Sequence, residues 1–263
     1  KMTSLERTAY PCLSAQKSIS GKTLDTCYTI TTEELGYINQ YLRGNRQRFN
    51  FAIQLKTFQN LGYFIDISET PKSIQEFIKK QLKLPHNLKY FYDHPKTLLR
   101  HKDRIREYLK VTPWSTKGEG SAQRVAMHAA YTASQTMNHP ADIINFVLEA
   151  LKRKSFELPA FSTIDRLVRH VRSKINQGIF QRVTDYLKAH HILEKLDKFL
   201  LVEKDESYSA YQKLKESPKA PTVTNFRDYV SYHDWLMELG CMEPYLKDIT
   251  KIKLKQFAEE AKS

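Results

Sequence analysis

The chain has 263 residues, of which 41% are hydrophobic and 27% are charged, and its formal net charge is +13. This balance excludes a disordered chain, and no apolar run approaches the ~18 residues that a membrane-spanning helix needs. So large an excess of lysine and arginine favours a polyanionic partner, nucleic acid ahead of an anionic membrane, although a basic enzyme can have the same composition.

Residues 1–30 are rich in serine, threonine and lysine, and we expect them to form an amino-terminal arm. The arm lacks the apolar core of a signal peptide, so we expect a cytoplasmic protein. The three cysteines, Cys12, Cys27 and Cys241, are odd in number and far apart, which fits neither a disulfide framework nor a zinc site. We interpret them as plain thiols in a reducing compartment.

Three helices are predicted in a first module over residues 31–95. The first begins at Thr32, because a hydroxyl cap followed by glutamates satisfies the free N–H groups and the positive end of a helix. The second covers about residues 45–60. The third follows Pro71, a residue type that suits a first helical turn. A breaker at Pro95 places the module boundary there.

The helical period continues through the rest of the chain, interrupted mainly at proline and glycine. Ser162 is expected to cap a helix, with Asp165 in the capping-box position. This pattern predicts a second module over 96–215 and a connecting region over 216–263. No strand pair is evident, so the predicted class is all-α. The predicted helices of these two regions cover about residues 97–110, 122–137, 140–154, 162–175, 179–187 and 191–202, followed by a linker at 217–222 and two more helices.

Motifs of enzymatic chemistry are missing from the sequence. The glycines form neither a P-loop nor a dinucleotide-binding frame. His190 and His191 are adjacent, so on a helix they point about 100° apart and cannot share one metal ion. We therefore predict no catalytic residue, no metal site and no cofactor for this chain.

The predicted helix over residues 45–60 carries a polar stripe opposite Phe51 and Leu55. Arginine, asparagine and glutamine can form paired hydrogen bonds with guanine and adenine edges, and the major groove admits a helix. The stripe therefore predicts a recognition helix, and a merely solvated polar face is the alternative. Its candidate DNA-binding residues, with their neighbours, are Arg43, Arg46, Arg48, Asn50 and Gln54.

Two other basic helices are candidates for DNA contact. On the helix after Ser162 we expect a basic outer face with few acidic residues. The free N–H groups at the start of this helix could bind a phosphate. The helix over 97–110 is diluted by Asp103 and Glu107, which favours backbone contact over base reading. The candidates on the first of these helices are Thr163, Arg166, Arg169, His170, Arg172 and Lys174, and those on the second are Arg100, Lys102, Arg104 and Arg106.

Several stretches together resemble the amino-terminal region of transposases of the Tn-three type, which transpose replicatively through cointegrates. The similarity covers nearly the whole chain, and the stretches follow the order and spacing of that family. They are residues 3–11 (TSLERTAYP), 45–55 (NRQRFNFAIQL), 61–64 (LGYF), 104–109 (RIREYL) and 156–168 (FELPAFSTIDRLV).

The resemblance implies that this region recognises terminal inverted repeats through tandem helical modules of the helix-turn-helix type. It implies double-stranded transposon ends as the partner, no membrane, self-association within a full-length transposase, and a bacterial, nucleoid-associated location. In that family an RNase-H-like domain far downstream, with an acidic triad and a divalent metal, cleaves and transfers the strands. The chain is then expected to be a non-catalytic part of the enzyme.

Two other classes of function stay open at the level of sequence. The first is a helical protein-interaction scaffold whose basic charge is incidental. A nuclease or tyrosine recombinase ranks third, since catalytic groups meet in space rather than in sequence.

Overall fold

The computed structural model describes residues 9–13, 19–137, 139–202, 207–214, 220–238, 240 and 243–260. These residues form helices and no sheet; extended pairing among them is limited to a bridge between Thr112 and Phe156. The predicted all-α class is confirmed. A helix-turn-helix arrangement of the modules stays a prediction.

The helices are numbered here in chain order, and a short 3-10 turn, Ile67–Glu69, lies between the third and fourth. None of them combines the length and apolar content required to cross a membrane, within the described ranges. They are α1 (Gly21–Tyr28), α2 (Thr32–Tyr41), α3 (Asn45–Leu61), α4 (Lys72–Gln81), α5 (Pro95–Leu109), α6 (Ala122–Thr136), α7 (Pro140–Arg153), α8 (Phe161–Ala189), α9 (Leu193–Leu200), α10 (Ala210–Leu214), α11 (Val223–Glu238), α12 (Glu243–Leu246) and α13 (Lys251–Glu260).

The chain divides into two compact units, Lys1–Val171 and Arg172–Ser263. This division differs from the predicted module boundaries after residues 95 and 215. Helix α5, assigned to the second module, places Ile105 in the hydrophobic core that it shares with Phe51 of the first. The modules therefore stay a prediction about DNA binding, whereas the compact units describe packing.

Helix α3 lies at the centre of the first unit. Eleven of its 17 residues are buried, and α1, α2, α4 and α5 pack around it. Phe49, Phe51 and Ile53 are fully buried, and each such side chain stabilises the fold by about 1.5–3 kcal/mol relative to exposure. A helix with apolar residues on every side is a core helix, not a surface one.

The predicted amino-terminal arm contains a helix, α1. Ser20 caps it by accepting a hydrogen bond from the Thr23 N–H at 3.2 Å. Tyr28 is buried in the core at its other end, where its hydroxyl accepts from Asn60 Nδ2 at 2.8 Å. The cap and this buried tyrosine explain why an apparently polar segment is helical. The parts of the arm at 1–8 and 14–18 lie outside the described residues.

Helix α2 begins at Thr32, and its capping box is formed by Thr31, one residue before the predicted hydroxyl cap. Thr31 Oγ1 accepts from the Glu34 N–H at 3.2 Å, and Glu34 Oε2 accepts from the Thr31 N–H at 2.8 Å. Both free N–H groups are thus satisfied by the reciprocal pair that this motif requires.

Helix α8 is a single helix of 29 residues where the sequence predicted two. Gly178 lies in its interior without a left-handed backbone. An interior glycine costs about 0.5–1 kcal/mol relative to alanine, which does not end a helix whose apolar face is packed, as Ile179 is. The predicted cap is also wrong, since α8 begins at Phe161 and Ser162 lies in its first turn.

Helices α6 and α7 pack side by side as a hairpin within the first unit. The inner face of α6 is made of small residues, which allow close approach to α7. Its buried residues are Ala122, Ala126, Ala129, Ala130, Ala133 and Ser134, and those of α7 are Ile143, Ile144, Val147, Leu148 and Leu151.

The second unit has a smaller core around Leu187 and Ile192. Phe199 stacks on Trp235 with ring centroids 4.5 Å apart. Lys253 of α13 is also buried, where its Nζ donates to Asn176 Oδ1 at 3.4 Å and to Gln256 Oε1 at 3.2 Å. Burial, and then the charge of Arg172, lower the pKa of this lysine.

Candidate nucleic-acid interface

The two amide residues of the predicted recognition stripe of α3 are buried. Asn50 is 3% exposed and Gln54 is not exposed. Asn50 Nδ2 donates to the Phe91 carbonyl at 2.6 Å, and Gln54 Nε2 donates to the Tyr90 hydroxyl. These amides hold the segment before α5 against the core helix. The prediction that they face outward is wrong, because α5 and this segment cover the stripe.

The sequence does carry a signal of this burial. Phe49 and Ile53 lie about 100–200° around α3 from the predicted apolar positions Phe51 and Leu55, so apolar side chains surround the helix. Such a pattern indicates a buried helix. The amides of Asn50 and Gln54 then serve as core hydrogen-bond donors.

The arginines near the start of α3 remain at or near the surface. Arg46 forms an ion pair with Asp93 at 3.0 Å, and its guanidinium lies 4.3 Å from the centroid of the Phe91 ring. Arg48 is half-buried and donates to the side chain of Asn39. Arg43 is exposed in the connection between α2 and α3. Unlike Arg46, Arg43 forms no ion pair with the described residues.

The four basic candidates of α5 lie on two faces of the helix. On one face Arg104 Nη1 donates to the Tyr41 carbonyl at 3.1 Å, and Arg100, one turn earlier, is exposed. On the other face Lys102 and Arg106 lie over the ring of Phe64, at 5.2 and 5.0 Å from its centroid.

Arg106 is neutralised by carboxylates. Its Nε donates to Glu157 Oε2 at 2.9 Å, and its Nη1 lies 2.7 Å from Asp103 Oδ1. The side chain is only 21% exposed. Arg106 therefore fixes the chain after α7 against α5 and is poorly placed to bind a phosphate.

Two contacts tie α5 and the segment before it to α2 and α3, and we call the surface around them the junction patch. The contact from Arg104 to Tyr41 joins α5 to α2, and the pair of Arg46 with Asp93 joins α3 to the segment before α5. The patch is defined by four predicted DNA-binding residues at or near these two contacts, Arg43, Arg46, Arg100 and Arg104.

His101 lies beneath the junction patch and is 2% exposed. Its Nδ1 is 2.9 Å from the Tyr92 hydroxyl, and its ring meets the Phe51 ring edge-on at 5.5 Å. Burial, with smaller contributions from Arg100 and Arg104, lowers the pKa of His101 to about 4. The histidine is therefore neutral at neutral pH and adds no charge to the patch.

The first half of α8 exposes basic residues opposite a buried apolar face. Arg166, Arg169 and His170 are exposed, whereas Ile164 and Val168 are fully buried. Asp165 pairs with Arg169 at 2.8 Å. No carboxylate among the described residues pairs with Arg166.

The remaining candidates on α8 differ in their exposure to solvent. Thr163 is half-buried. In the second unit, Arg172 is half-buried and its Nε lacks a hydrogen-bond partner within the described part of the chain. Lys174 is exposed.

Described residues from four of the five stretches that carry the family resemblance line one cleft of about 1010 Å³ in the first unit. The Tyr10 hydroxyl donates to the Pro159 carbonyl, and the Tyr63 hydroxyl donates to the Pro11 carbonyl at 2.8 Å. The Tyr10 ring lies 5.2 Å from that of Tyr63 and 5.8 Å from that of Phe161. Contacts between distant parts of the chain thus give these stretches a shared structural role.

Within the described ranges, no three His, Cys, Asp or Glu side chains are grouped so that they could hold a metal ion. The polar features of the first unit are instead exposed cations and buried hydrogen-bonded pairs. Such a surface can bind an extended anion through many weak contacts.

Residues 2–171 match the family model described as a domain of unknown function, DUF4158. The match ends at the same residue as the first compact unit, Val171. The family domain and the first unit are therefore the same part of the molecule.

Several curated transposases are similar to the chain. The transposase for transposon gamma-delta from Escherichia coli (strain K12) is 23% identical over 99% of this chain and 26% of its own length. Those for Tn501 from Pseudomonas aeruginosa and Tn1546 from Enterococcus faecium are 25% and 20% identical, over 77% and 89% of this chain. The chain matches only 20% and 24% of the lengths of these two relatives.

These relatives confirm the resemblance to transposases of the Tn-three type that the sequence stretches predicted. The chain spans about a quarter of the length of the gamma-delta transposase and about a fifth of that for Tn501. The family model covers well over half of the chain. The chain therefore belongs to the family of the domain of unknown function DUF4158.

Proposed function

We propose that this chain binds the terminal inverted repeats of a transposon, as the amino-terminal part of a transposase for replicative transposition. The observation that carries the proposal is the exposed basic face of α8 within the family domain, formed by Arg166, Arg169 and His170. The transposase relatives and the net charge of +13 support the same partner, double-stranded DNA.

The exposed cations are suited to different contacts with DNA. Arg166 has no carboxylate partner among the described residues and is available for a guanine edge or a phosphate. Arg100 of the junction patch is exposed and lies one turn before Arg104, whose guanidinium donates to the Tyr41 carbonyl. An exposed arginine at this position favours a phosphate contact that fixes register. Asn50 and Gln54 are removed from the DNA-contacting set, because their amides are used inside the core.

The proposal assigns strand cleavage and transfer, with the divalent metal they require, to a part of the transposase outside this chain. The family resemblance is the basis for that assignment. It also implies a cytoplasmic, nucleoid-associated protein that associates with itself through the full-length transposase.

Titration of the chain with two duplexes tests the proposal. One duplex carries the terminal inverted repeat of the encoding element, and the other is a scrambled duplex of the same length and composition. We expect the terminal repeat to bind more tightly than the scrambled duplex at both 50 and 200 mM salt. Between these two salt concentrations, the affinity for each duplex should fall by about 10³-fold or more if six phosphates are contacted.

Three results would contradict the proposal. Equal binding of the two duplexes would remove sequence recognition. Weak binding with a flat response to salt would favour the helical interaction scaffold instead. Cleavage of DNA by this chain alone, dependent on metal or on a tyrosine, would favour the enzyme alternative.

A further inference from the structure

Helix α6 has an exposed face that the sequence analysis did not assign. The helix contains no aspartate or glutamate, a property that only α3 shares among the helices described within the family domain. Unlike α3, α6 exposes a continuous outer face. This face consists of Arg124, Met127, His128 and Tyr131.

The spacing of these residues places them on one side of the helix. Positions 124, 128 and 131 follow the i, i+4, i+7 pattern, and Met127 lies between them. The opposite side is the alanine face packed on α7. A helix of 15 residues is about 22 Å long at a rise of ~1.5 Å per residue, and its packed side holds it rigidly.

The outer face combines charge with exposed apolar surface. Tyr131 is 54% exposed and Met127 is 46% exposed. Arg124 is 68% exposed, and its nearest carboxylate among the described residues, Glu119, is 3.9 Å away and fully exposed. An exposed ion pair of this kind contributes little stability, so the guanidinium can leave Glu119 and bind a group on a ligand instead.

This chemistry matches the major groove of DNA. Arginine pairs with the O6 and N7 atoms of guanine, and apolar side chains contact the methyl group of thymine. The absence of acidic side chains on α6 removes repulsion from the phosphates on both sides of the groove. The other exposed basic faces carry internal acids, Asp103 on α5 and Asp165 on α8, which favours backbone contact there.

We propose that α6 is the helix of this chain that enters the major groove, with Arg124 contacting a guanine and with Met127 and Tyr131 forming the apolar contact. The inference rests on the proposed function, since it names the element that reads the DNA. It replaces α3, whose Asn50 and Gln54 amides are buried, as the recognition helix.

Two α6 substitutions and two matched controls test the inference. Arg124→Ala and Tyr131→Ala each remove one contact of the outer face. Lys152→Ala and Phe146→Ala remove a cation and an aromatic ring at exposed positions of α7, the other helix of the hairpin. Each protein is titrated with the terminal-repeat and scrambled duplexes. Each variant should have the circular dichroism spectrum and urea midpoint of the wild type, as expected for substitutions at exposed positions, and this agreement shows that it is folded.

We expect Arg124→Ala to bind the terminal repeat about 10–100-fold more weakly than the wild type and the scrambled duplex no more than about 3-fold more weakly. Methylation of one or two guanines at N7 should weaken binding by the wild type and not by Arg124→Ala. Tyr131→Ala should lose affinity for the terminal repeat selectively, and both α7 controls should bind as the wild type does.

The outcomes separate the two proposals. If the wild type binds both duplexes equally, the proposed function fails. If the wild type prefers the terminal repeat and Arg124→Ala keeps that preference, the assignment of α6 is overturned while the proposed function stands. An equal loss on both duplexes also overturns the assignment, because it shows a phosphate contact rather than base reading.

Discussion

The carboxylate of Glu34 is buried and is surrounded by donors. It accepts from Lys56 Nζ at 3.1 Å, from Gln59 Nε2 at 2.7 Å and from the Thr31 N–H at 2.8 Å. The side chains of Lys56 and Glu34 are 8% and 4% exposed. One ion pair therefore fixes the start of α2 against α3, and neither charge can be removed without leaving the other uncompensated.

Replacing Lys56 tests how much this pair stabilises the fold. Lys56→Met should lower the free energy of unfolding by about 3–5 kcal/mol, because it leaves a buried carboxylate without its counter-charge. The double variant Lys56→Met/Glu34→Gln should recover part of that loss, because it leaves no buried charge. Urea unfolding of the two variants and of Glu34→Gln measures the coupling. A loss below about 1 kcal/mol for Lys56→Met would show that the pair is not buried in solution.

His101 predicts a dependence of stability on pH. Its pKa of about 4 lies below the ordinary value of 6.5, so the unfolded chain binds a proton that the folded protein excludes. This contribution to stability is complete above pH 6.5 and is lost as the pH falls towards 4. The loss should be on the order of 2–3 kcal/mol, since a tenfold change in proton affinity corresponds to about 1.4 kcal/mol.

Comparison with His101→Gln measures the effect. Glutamine can keep the hydrogen bond to Tyr92 and does not titrate. The urea midpoint of the wild type should fall more steeply than that of the variant between pH 6.5 and 4. Parallel profiles for the two proteins would contradict the assigned burial.

At the scale of elements, the end of α3 depends on a glycine. Gly62 has φ +81°, and its carbonyl accepts from the Leu158 N–H at 2.8 Å. A Cβ at this position would lie 2.9 Å from Leu158 Cδ1 and 3.0 Å from Leu158 Cγ. The left-handed turn and the close approach of the chain before α8 both require glycine.

Gly62→Ala should therefore lower the free energy of unfolding by at least about 2 kcal/mol, combining left-handed strain with the contact to Leu158. Gly36→Ala is the matched control. Gly36 lies in the interior of α2 with no neighbour within 4 Å of its Cβ position, so alanine there should stabilise the protein by about 0.5–1 kcal/mol. Thermal or urea unfolding distinguishes the two, and equal effects would contradict the turn.

Helix positions could be predicted from the sequence, because their signals are local. Pro140 starts α7 as predicted, whereas Pro95, a predicted breaker before a helix from about residue 97, is itself the first residue of α5. The length of α8 could not be predicted, because the cost of Gly178 is smaller than the gain from packing. Which side chains are exposed could not be predicted in the same way, because it depends on which helix faces are covered by distant parts of the chain. Asn50 has the chemistry of a base-reading residue. The apolar residues on every side of α3 indicate that it is buried, and the position of Phe91 shows which carbonyl accepts from its amide.

At the scale of the whole molecule, the arrangement of cations predicts the response to salt. Arg100 is exposed at the junction patch, whereas Arg104 is held by the Tyr41 carbonyl. Arg100→Ala should weaken binding to terminal-repeat and scrambled duplexes alike. It should also reduce the slope of log affinity against log salt by about 0.9, the value for one released phosphate contact.

Lys80→Ala is the control for this substitution, since Lys80 is an exposed cation on α4 and outside the patch. It should keep the wild-type slope. A change in sequence preference on replacing Arg100 would contradict the assignment to the phosphate backbone, because such contacts carry no sequence information.

The tie between Tyr10 and Pro159 joins residues 149 positions apart. During synthesis on the ribosome, Tyr10 can therefore form this hydrogen bond only after most of the family domain has been translated. That takes roughly 8–30 s at about 5–20 residues per second. The core around α3 is complete once α5 has emerged, and the amino-terminal segment can close only after the chain up to Phe161 has followed. The first residues of the domain to be translated are thus among the last to reach their native contacts.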